Sequence, residues 1–185
     1  MQICRLPPEE DAVRRYTEEL WLPYHRDLEA AVEDHALADE MDRADIVDAE
    51  VEFRLDKLAA DGYAAWVVVD DGDADDVERA TAAGDPLAET AGAWVAFVTT
   101  SVDECPTVFD RPDRLVVGDI YVTEPYRGTD LARELVDLAV DRARDLDCPE
   151  LALDVDVDNE RALALYEKLG FEPRRHRMVV PAGDL

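Results

Sequence analysis

Apolar residues in the first third of the chain recur at the spacing of an α-helix. Val13, Tyr16 and Leu20 follow an acidic first turn, and the pattern continues beyond Pro23. Because proline has no amide hydrogen and clashes with the preceding turn, we expect Pro23 to break or restart this helix. A further helix is predicted over 46–58, where apolar residues return at the same spacing.

In the middle of the chain the apolar residues form short runs rich in valine and aromatic residues, which are typical of β-strands. Strands are predicted over 63–69, 91–102 and 115–122. The stretch 70–89 carries glycine, proline and aspartate turn signals and is interpreted as an insertion in a hairpin loop. One or two helical turns are predicted within it, over 77–83.

The last third alternates between helices and strands. A helix is predicted over 130–146, a strand over 151–157, and a second helix over 160–169, which Gly170 should end. A final strand is predicted over 171–180. A strand, a helix and a second strand in succession indicate a right-handed crossover between parallel strands. The predicted fold class is α+β, with a central mixed, twisted β-sheet flanked by helices.

The net charge of −27 is the unusual feature of the composition, because 46 acidic residues face only 19 lysines and arginines in 185 residues. Such an excess fits either an acidic face for a cationic partner or a surface adapted to high salt. The acids are spread along the chain and only Lys57 and Lys168 are lysines, which favours a salt-rich cytosol and resembles halophilic archaeal proteins. A nucleic-acid partner is not expected, since phosphate binding needs a basic surface.

Several classes of protein are not expected from this sequence. The first ten residues already carry charges, and no apolar run approaches the length of a membrane span, so a cytoplasmic protein without membrane contact is expected. No repeat or linker divides the chain, so one domain over 1–185 is expected. The cysteines and histidines lack the spacing of a disulfide framework or a metal site, so no metal is expected. They are Cys4, Cys105, Cys148, His25, His35 and His176.

The junction between a strand and a helix from Val122 to Ala132 carries the most informative chemistry. It contains a proline turn followed by Arg127 and Gly128. Such a junction presents unpaired backbone N–H groups and the positive end of a helix dipole, which together suit a pyrophosphate. Gly128 lets the backbone turn tightly and approach a ligand, and Arg127 can add a positive charge.

This string resembles motif A of the GNAT superfamily, Arg/Gln-x-x-Gly-x-Gly/Ala, with Arg127 in the first place and Ala132 in the last. The segment Asn-Glu-Arg-Ala-Leu-Ala-Leu-Tyr-Glu-Lys-Leu-Gly-Phe at 159–171 closely resembles motif B of the same superfamily. Motif A spans about 115–146 and motif B about 151–173. The resemblance implies the GNAT fold and transfer of acetyl from acetyl-CoA to a primary amine of a small molecule or a protein.

The resemblance also implies a role for each matching position. The backbone of 120–122 would pair with the pantetheine arm as an added strand does, and the N–H groups of 127–132 would hold the pyrophosphate. Asn159 would bind the pantetheine region. The implied cofactor-binding residues are Ile120, Tyr121, Val122, Arg127, Gly128, Thr129, Asp130, Leu131, Ala132, Asn159, Ala162 and Tyr166.

The implied reaction is direct attack of an amine on acetyl-CoA. Tyr166 would donate a proton to the leaving thiolate as general acid, and an N–H of the Tyr121–Val122 edge would stabilise the oxyanion. Asp119 is the nearest carboxylate on that strand for removing the amine proton, directly or through a water. The candidate catalytic residues are therefore Tyr166 and Asp119.

Asp130 departs from the motif, because this place is normally glycine. A carboxylate beside a pyrophosphate is repulsive, which leaves two alternatives: weakened cofactor binding, or a side chain that caps the helix and points away. Two other functions stay open. One is a degenerate CoA-binding module without turnover, and the other is an acyltransferase that uses another acyl-CoA.

The first helices are expected to cover the acceptor side in this family, so Trp21, Tyr24 and His25 are candidate acceptor-binding residues. For Trp21 and Tyr24, the buried face of an amphipathic helix is the favoured interpretation. Asn159 also fits a plain helix N-cap, and Tyr166 a plain core position. Homodimers are common in the family, so a homodimer is plausible.

Overall fold

The computed structural model describes residues 1–72, 78–79, 87 and 92–184, and these divide into two compact units, Met1–Asp154 and Val155–Leu185. The first unit contains a six-stranded mixed sheet in the order β3-β1-β2-β4-β5-β6. The strands are β1 (Gln2–Arg5), β2 (Ala64–Asp70), β3 (Glu78–Arg79), β4 (Ala93–Asp103), β5 (Arg114–Val122) and β6 (Glu150–Leu153).

The central strands confirm the predicted hairpin around 70–89 and the parallel crossover. Strands β2, β4 and β5 pair antiparallel in succession, and β5 pairs parallel with β6. The connection between β5 and β6 is the helix α4 (Leu131–Asp145), as the pattern over 130–146 predicts. The fold class is α+β, with a mixed sheet flanked by helices.

Two short strands on one side of the sheet, β1 and β3, were not expected from the sequence. Strand β1 pairs antiparallel with β2, and β3 pairs parallel with β1. Of the residues predicted as helical turns over 77–83, Glu78 and Arg79 are therefore strand, and the others lie outside the described residues. Segments of four and two residues are too short to show a periodic pattern, so only pairing with a neighbour makes them strands.

Of the two outcomes expected at Pro23, a new helix begins there and the helical course of the chain does not break. Helix α1 (Glu10–Tyr16) continues through a π-helical turn, Thr17–Trp21, into α2 (Leu22–Glu29). The wider turn accommodates the missing amide hydrogen of proline in the first turn of α2, where no intrahelical partner is required. The next helix, α3 (Arg43–Ala59), contains the predicted stretch 46–58.

Helices cover both faces of the sheet in the first unit. On one face, apolar residues of α1, α2 and α3 pack on β2 and β4, around the buried rings of Tyr16 and Phe97. On the other face, α4 buries Leu131, Leu135 and Ala139 against the sheet, as its apolar stripe predicts. Both layers bury apolar area, which is the main favourable term in folding.

Two predictions near the end of the chain need correction. Strand β6 ends at Leu153 instead of reaching residue 157. Asp156 accepts a hydrogen bond from the backbone N–H of Asp158 at 3.0 Å, and this aspartate turn replaces further strand pairing. Residues 171–180 form no strand, and residues 172–180 are exposed, so this stretch has no buried face of the kind that stabilises a strand in a sheet.

The second unit contains the predicted helix, α5 (Glu160–Lys168). Gly170 ends it with a φ of +88°, and the N–H of Phe171 donates to the carbonyl of Tyr166 at 3.0 Å. No helix among the described residues is long and apolar enough to span a membrane. That residues 1–185 form one domain stays a prediction.

Candidate active site

Strands β5 and β6 separate halfway along β5. Their parallel pairing covers only Arg114–Val117 on β5. Beyond that point β5 continues to Val122 along β4, and no described strand pairs with its other edge. Backbone groups on an open strand edge can accept an extended ligand as an additional strand. The predicted pantetheine-binding residues Ile120, Tyr121 and Val122 lie on this stretch.

A β-bulge marks the point of separation. The register between β4 and β5 shifts between Val98 and Thr100. The backbone N–H of Asp119 donates to Thr99 Oγ1 at 2.9 Å, and a Cβ on Gly118 would lie 2.6 Å from the same oxygen. Gly118 therefore permits this close approach. Sequence reasoning missed Gly118 and Thr99, although a glycine inside a strand often signals a bulge.

The turn after β5 places Gly128 in the left-handed conformation that a tight turn requires. Gly128 has a φ of +79°, and a Cβ placed there would meet no atom within 4 Å. Thr129 organises the turn, since its Oγ1 donates to the carbonyl of Tyr126 at 2.7 Å and accepts from the N–H of Leu131 at 3.3 Å. The first turn of α4, including Ala132, then presents N–H groups that have no partner within the helix.

Asp130 does not cap α4, so that alternative is wrong. Asp130 occupies the N-cap position, but its side chain makes no capping hydrogen bond and the residue is exposed. The neighbouring hydroxyl of Thr129 already supplies the bond to Leu131. A free carboxylate thus stands at the positive end of the helix, beside the N–H groups expected to hold a pyrophosphate.

The guanidinium of Arg127 is directed towards α2 and β5. Its Nε donates to the carbonyl of Val122 at 3.0 Å, and its Nη2 forms an ion pair with Asp27. The guanidinium also lies 5.6 Å from the ring centre of Tyr121, whose hydroxyl donates to Asp27 at 3.0 Å. Burial, followed by the hydrogen bond to Asp27 and the charge of that carboxylate, raises the pKa of Tyr121 to about 12. Arg127 therefore joins the turn after β5 to α2.

The three candidate acceptor-binding residues gather on one side of β5. The rings of Trp21 and His25 lie 4.2 Å apart, and those of Tyr24 and Tyr121 lie 5.7 Å apart. The hydroxyl of Tyr24 lies 3.4 Å from Asp119 Oδ1. Burial lowers the pKa of His25, so the neutral imidazole is favoured. Trp21 is buried in the core, whereas Tyr24 and His25 are half-buried.

A buried ion pair lies behind Asp119. Arg54 is 4% exposed, and its Nε donates to Glu50 Oε1 at 2.8 Å. Its Nη2 lies 3.9 Å from Asp119 Oδ2. Sequence reasoning missed both residues of the pair. The available signal was that Arg54 falls on the apolar stripe of α3, three residues after Val51, where a charged side chain needs a buried partner.

In the second unit, Asn159 is the N-cap of α5. Its Oδ1 accepts from the N–H of Ala162 at 3.1 Å, as the plain capping alternative expects. Tyr166 is buried, and its ring meets that of Phe171 edge-on at 5.6 Å. The cofactor and catalytic roles of these residues stay predictions. Among the described residues of the whole chain, no three potential ligands group around a metal position.

Comparison with known families gives one broad match. The model of the acetyltransferase (GNAT) family matches residues 14–171. A curated relative, N-alpha-acetyltransferase 30 of Saccharomyces cerevisiae, is 40% identical over 70 residues, which cover 37% of this chain and 40% of the yeast protein. The matched segment thus spans about two fifths of that relative's length.

Solved structures share the fold at low sequence identity. A tetramutant of the BH1408 protein from Bacillus halodurans has a TM-score of 0.70 at 16% identity, covering 98% of this chain and 99% of that one. An aminoglycoside N-acetyltransferase, AAC(6')-Iy in complex with CoA, has a TM-score of 0.61 at 16% identity, covering 97% and 92%. At these identities the likeness is evidence for the fold alone.

Proposed function

Because the chain belongs to the acetyltransferase (GNAT) family, we propose that it is an enzyme that transfers the acetyl group of acetyl-CoA to an amine. The observation that carries the proposal is the open edge of β5, which leads into the turn at Gly128 and the first turn of α4. An extended pantetheine arm fits the edge, and a pyrophosphate fits the helix N-terminus. Both features occur in succession on one strand and its following turn.

The reaction needs few groups from the chain. Acetyl-CoA supplies the acetyl group and a thiolate leaving group. Asp119 accepts the proton of the incoming amine, directly or through a water, and the amine nitrogen then forms a bond to the acetyl carbon. A backbone N–H of Tyr121 or Val122 donates to the oxyanion. Tyr166 gives its proton to the sulfur as the carbon–sulfur bond breaks, and the amide nitrogen loses its second proton, which restores the phenol of Tyr166 through solvent.

We propose a primary amine of a small molecule or a protein as the acceptor. The yeast relative is named for acetylation of an α-amine, and the CoA-bound structure for acetylation of aminoglycosides. In this chain, Tyr24, His25 and Asp119 meet on the expected acceptor side. Aromatic rings next to a carboxylate suit a cationic amine, which binds charged and reacts after losing a proton.

Binding and turnover test the proposal separately. Acetyl-CoA should raise the melting temperature in molar KCl by the ordinary linkage of ligand binding to stability. Thiol release with a panel of peptide amines, aminoglycosides and small amines should then identify the acceptor class. If acetyl-CoA binds but no amine releases the thiol, a CoA-binding module is favoured. If thiol is released only from a longer acyl-CoA, another acyltransferase is favoured. Absence of binding at millimolar cofactor contradicts all three functions.

Asp130→Gly should tighten acetyl-CoA binding. The carboxylate of Asp130 is exposed and makes no capping hydrogen bond to the helix, and it lies where the pyrophosphate is proposed to bind. Its removal relieves repulsion between two negative charges. We expect a gain of about 5–50-fold in affinity at low salt, which corresponds to about 1–2 kcal/mol for one close charge. Isothermal titration at two salt concentrations measures it.

The matched control for this variant is Asp137→Gly, which removes a carboxylate from the middle of α4. This control should not change the affinity, although it lowers helix stability. The gain for Asp130→Gly should shrink in molar KCl because salt screens an exposed charge. Equal affinities for the wild type and Asp130→Gly at both salt concentrations would show that this carboxylate does not repel the cofactor.

We also propose that the protein works in the salt-rich cytosol of a halophile. The charge of −27 repels itself, and counterions reduce this repulsion. The melting temperature should therefore rise with KCl, by about 2–4 °C for each kcal/mol of repulsion relieved. Calorimetry measures it, with sucrose at equal osmolality as the control. A melting temperature that is constant from low to molar KCl contradicts the adaptation to salt. Light scattering under the same conditions separately tests the expected homodimer.

A further inference from the structure

Arg54 is the buried cation of the acceptor side. It projects from α3 and is 4% exposed. Both Nε and Nη2 donate to Glu50 Oε1, at 2.8 and 2.5 Å, and Nη1 donates to the hydroxyl of Tyr63. The same guanidinium lies 5.2 Å from the ring centre of Tyr16. Its position is therefore set from several directions.

The same network reaches Asp119 by two routes. Directly, Arg54 Nη2 lies 3.9 Å from Asp119 Oδ2. Indirectly, Tyr63 is hydrogen-bonded to Thr99, and Thr99 Oγ1 accepts from the backbone N–H of Asp119. The backbone and the carboxylate of Asp119 are thus both tied to one buried group, although its side chain is 35% exposed and can reach a substrate.

The two carboxylates share the single cation unequally. Glu50 is 8% exposed and takes the two short hydrogen bonds of Arg54, whereas Asp119 lies beyond ordinary hydrogen-bond distance. A carboxylate in full contact with a guanidinium is a weak base, because the cation stabilises the ionised form. The negative charge of Glu50 therefore offsets part of the positive potential that Arg54 produces at Asp119.

We propose that Arg54 is a positioning residue for Asp119, and that Glu50 limits the effect of Arg54 on the Asp119 carboxylate by engaging most of the hydrogen-bonding capacity of that guanidinium. The inference rests on the acetyl transfer proposed above, in which Asp119 removes the amine proton. It assigns to the α3 pair a function in the reaction in addition to its place in the core.

Asp119 is surrounded by groups from several elements. Those in its surroundings are Tyr16 on α1, Tyr24 and His25 on α2, Glu50 and Arg54 on α3, Tyr63 before β2 and Thr99 on β4. Burial raises the pKa of both Tyr16 and Tyr63 and lowers that of His25, so these three groups are neutral near pH 7. Arg54 and Glu50 then contribute the charges that the variants below change.

The test compares two variants whose expected effects have opposite directions. Glu50→Gln keeps the shape but leaves the charge of Arg54 to Asp119 alone, so the acid limb of the kcat/KM profile should move to lower pH by about one unit. The double variant Glu50→Gln/Arg54→Met removes both charges and should move the same limb to higher pH. Arg14→Gln, which removes an exposed cation from α1, is the control and should leave the limb unchanged.

A purely structural role gives a different result. Variants that only loosen the fold lower kcat or raise KM without moving the acid limb, and unchanged limbs in both folded variants overturn the proposal. Shifts in the same direction for both variants also overturn it.

A measurement without turnover separates this inference from the proposed function. The carboxylate ¹³C signal of Asp119, identified by its loss in Asp119→Asn, is followed against pH in the three proteins. Its midpoint should fall in Glu50→Gln and rise in the double variant. If no amine is acetylated but the midpoints move as stated, the function fails and the charge sharing stands. If turnover occurs but the midpoints coincide, the charge sharing fails.

Discussion

Tyr166→Phe should lower kcat by about 10²-fold or more, which is the usual loss on removing a general acid. Affinity for acetyl-CoA should stay within about twofold, because phenylalanine retains the buried ring that packs against Phe171. The hydroxyl alone is lost, so the departing thiolate must take its proton from water. Steady-state thiol release and isothermal titration measure the two quantities.

Tyr126→Phe is the matched control for this experiment. It also removes one phenolic hydroxyl, which here bonds to Asp70 on β2. Its kcat should stay close to that of the wild type. A kcat for Tyr166→Phe equal to that of Tyr126→Phe would exclude Tyr166 as the acid and leave its ring as a packing element of the second unit.

Arg54→Met should lower the free energy of unfolding by about 3–5 kcal/mol, the usual loss when one partner of a buried ion pair is removed. Methionine fills much of the arginine volume, so the main loss is electrostatic. Glu50, which is 8% exposed, is left without its cation, and burial already raises the pKa of its carboxyl. Chemical denaturation at a fixed KCl concentration measures the change.

The double variant Glu50→Gln/Arg54→Met should recover a large part of this loss, because no uncompensated charge remains in the interior. Arg14→Met is the surface control, since the ion pairs of Arg14 with Glu10 and Asp48 are exposed. It should cost less than about 1 kcal/mol. If Arg54→Met and Arg14→Met have equal costs, the α3 pair does not behave as a buried ion pair.

The pattern of the chain was sufficient to predict the long elements. The helices over 46–58, 130–146 and 160–169 and the central strands are present, because each is long enough to repeat its own period. The turn at Gly128 was also predictable, since glycine permits its positive φ. These features depend on residues close together in the chain, so they can be predicted from the sequence.

The candidate site was predictable only in part. The strand 120–122 and the turn 127–132 lie in succession along the chain, and their proposed roles use backbone groups. The buried pair of Arg54 and Glu50 was not predicted, because a Glu–Arg pair four residues apart on a helix is usually exposed. Its burial depends on the sheet and on α1, which approach α3 only in the folded chain.

By itself, the sequence determined the family, the order of the main elements and the acidic surface. These follow from motif, period and composition. Only the tertiary structure decided that 2–5 and 78–79 become strands, that Arg127 pairs with Asp27, and that Asp119 lies beside Arg54. Each of these contacts joins residues far apart in the chain, and their free energy arises only once a core has brought the two segments together.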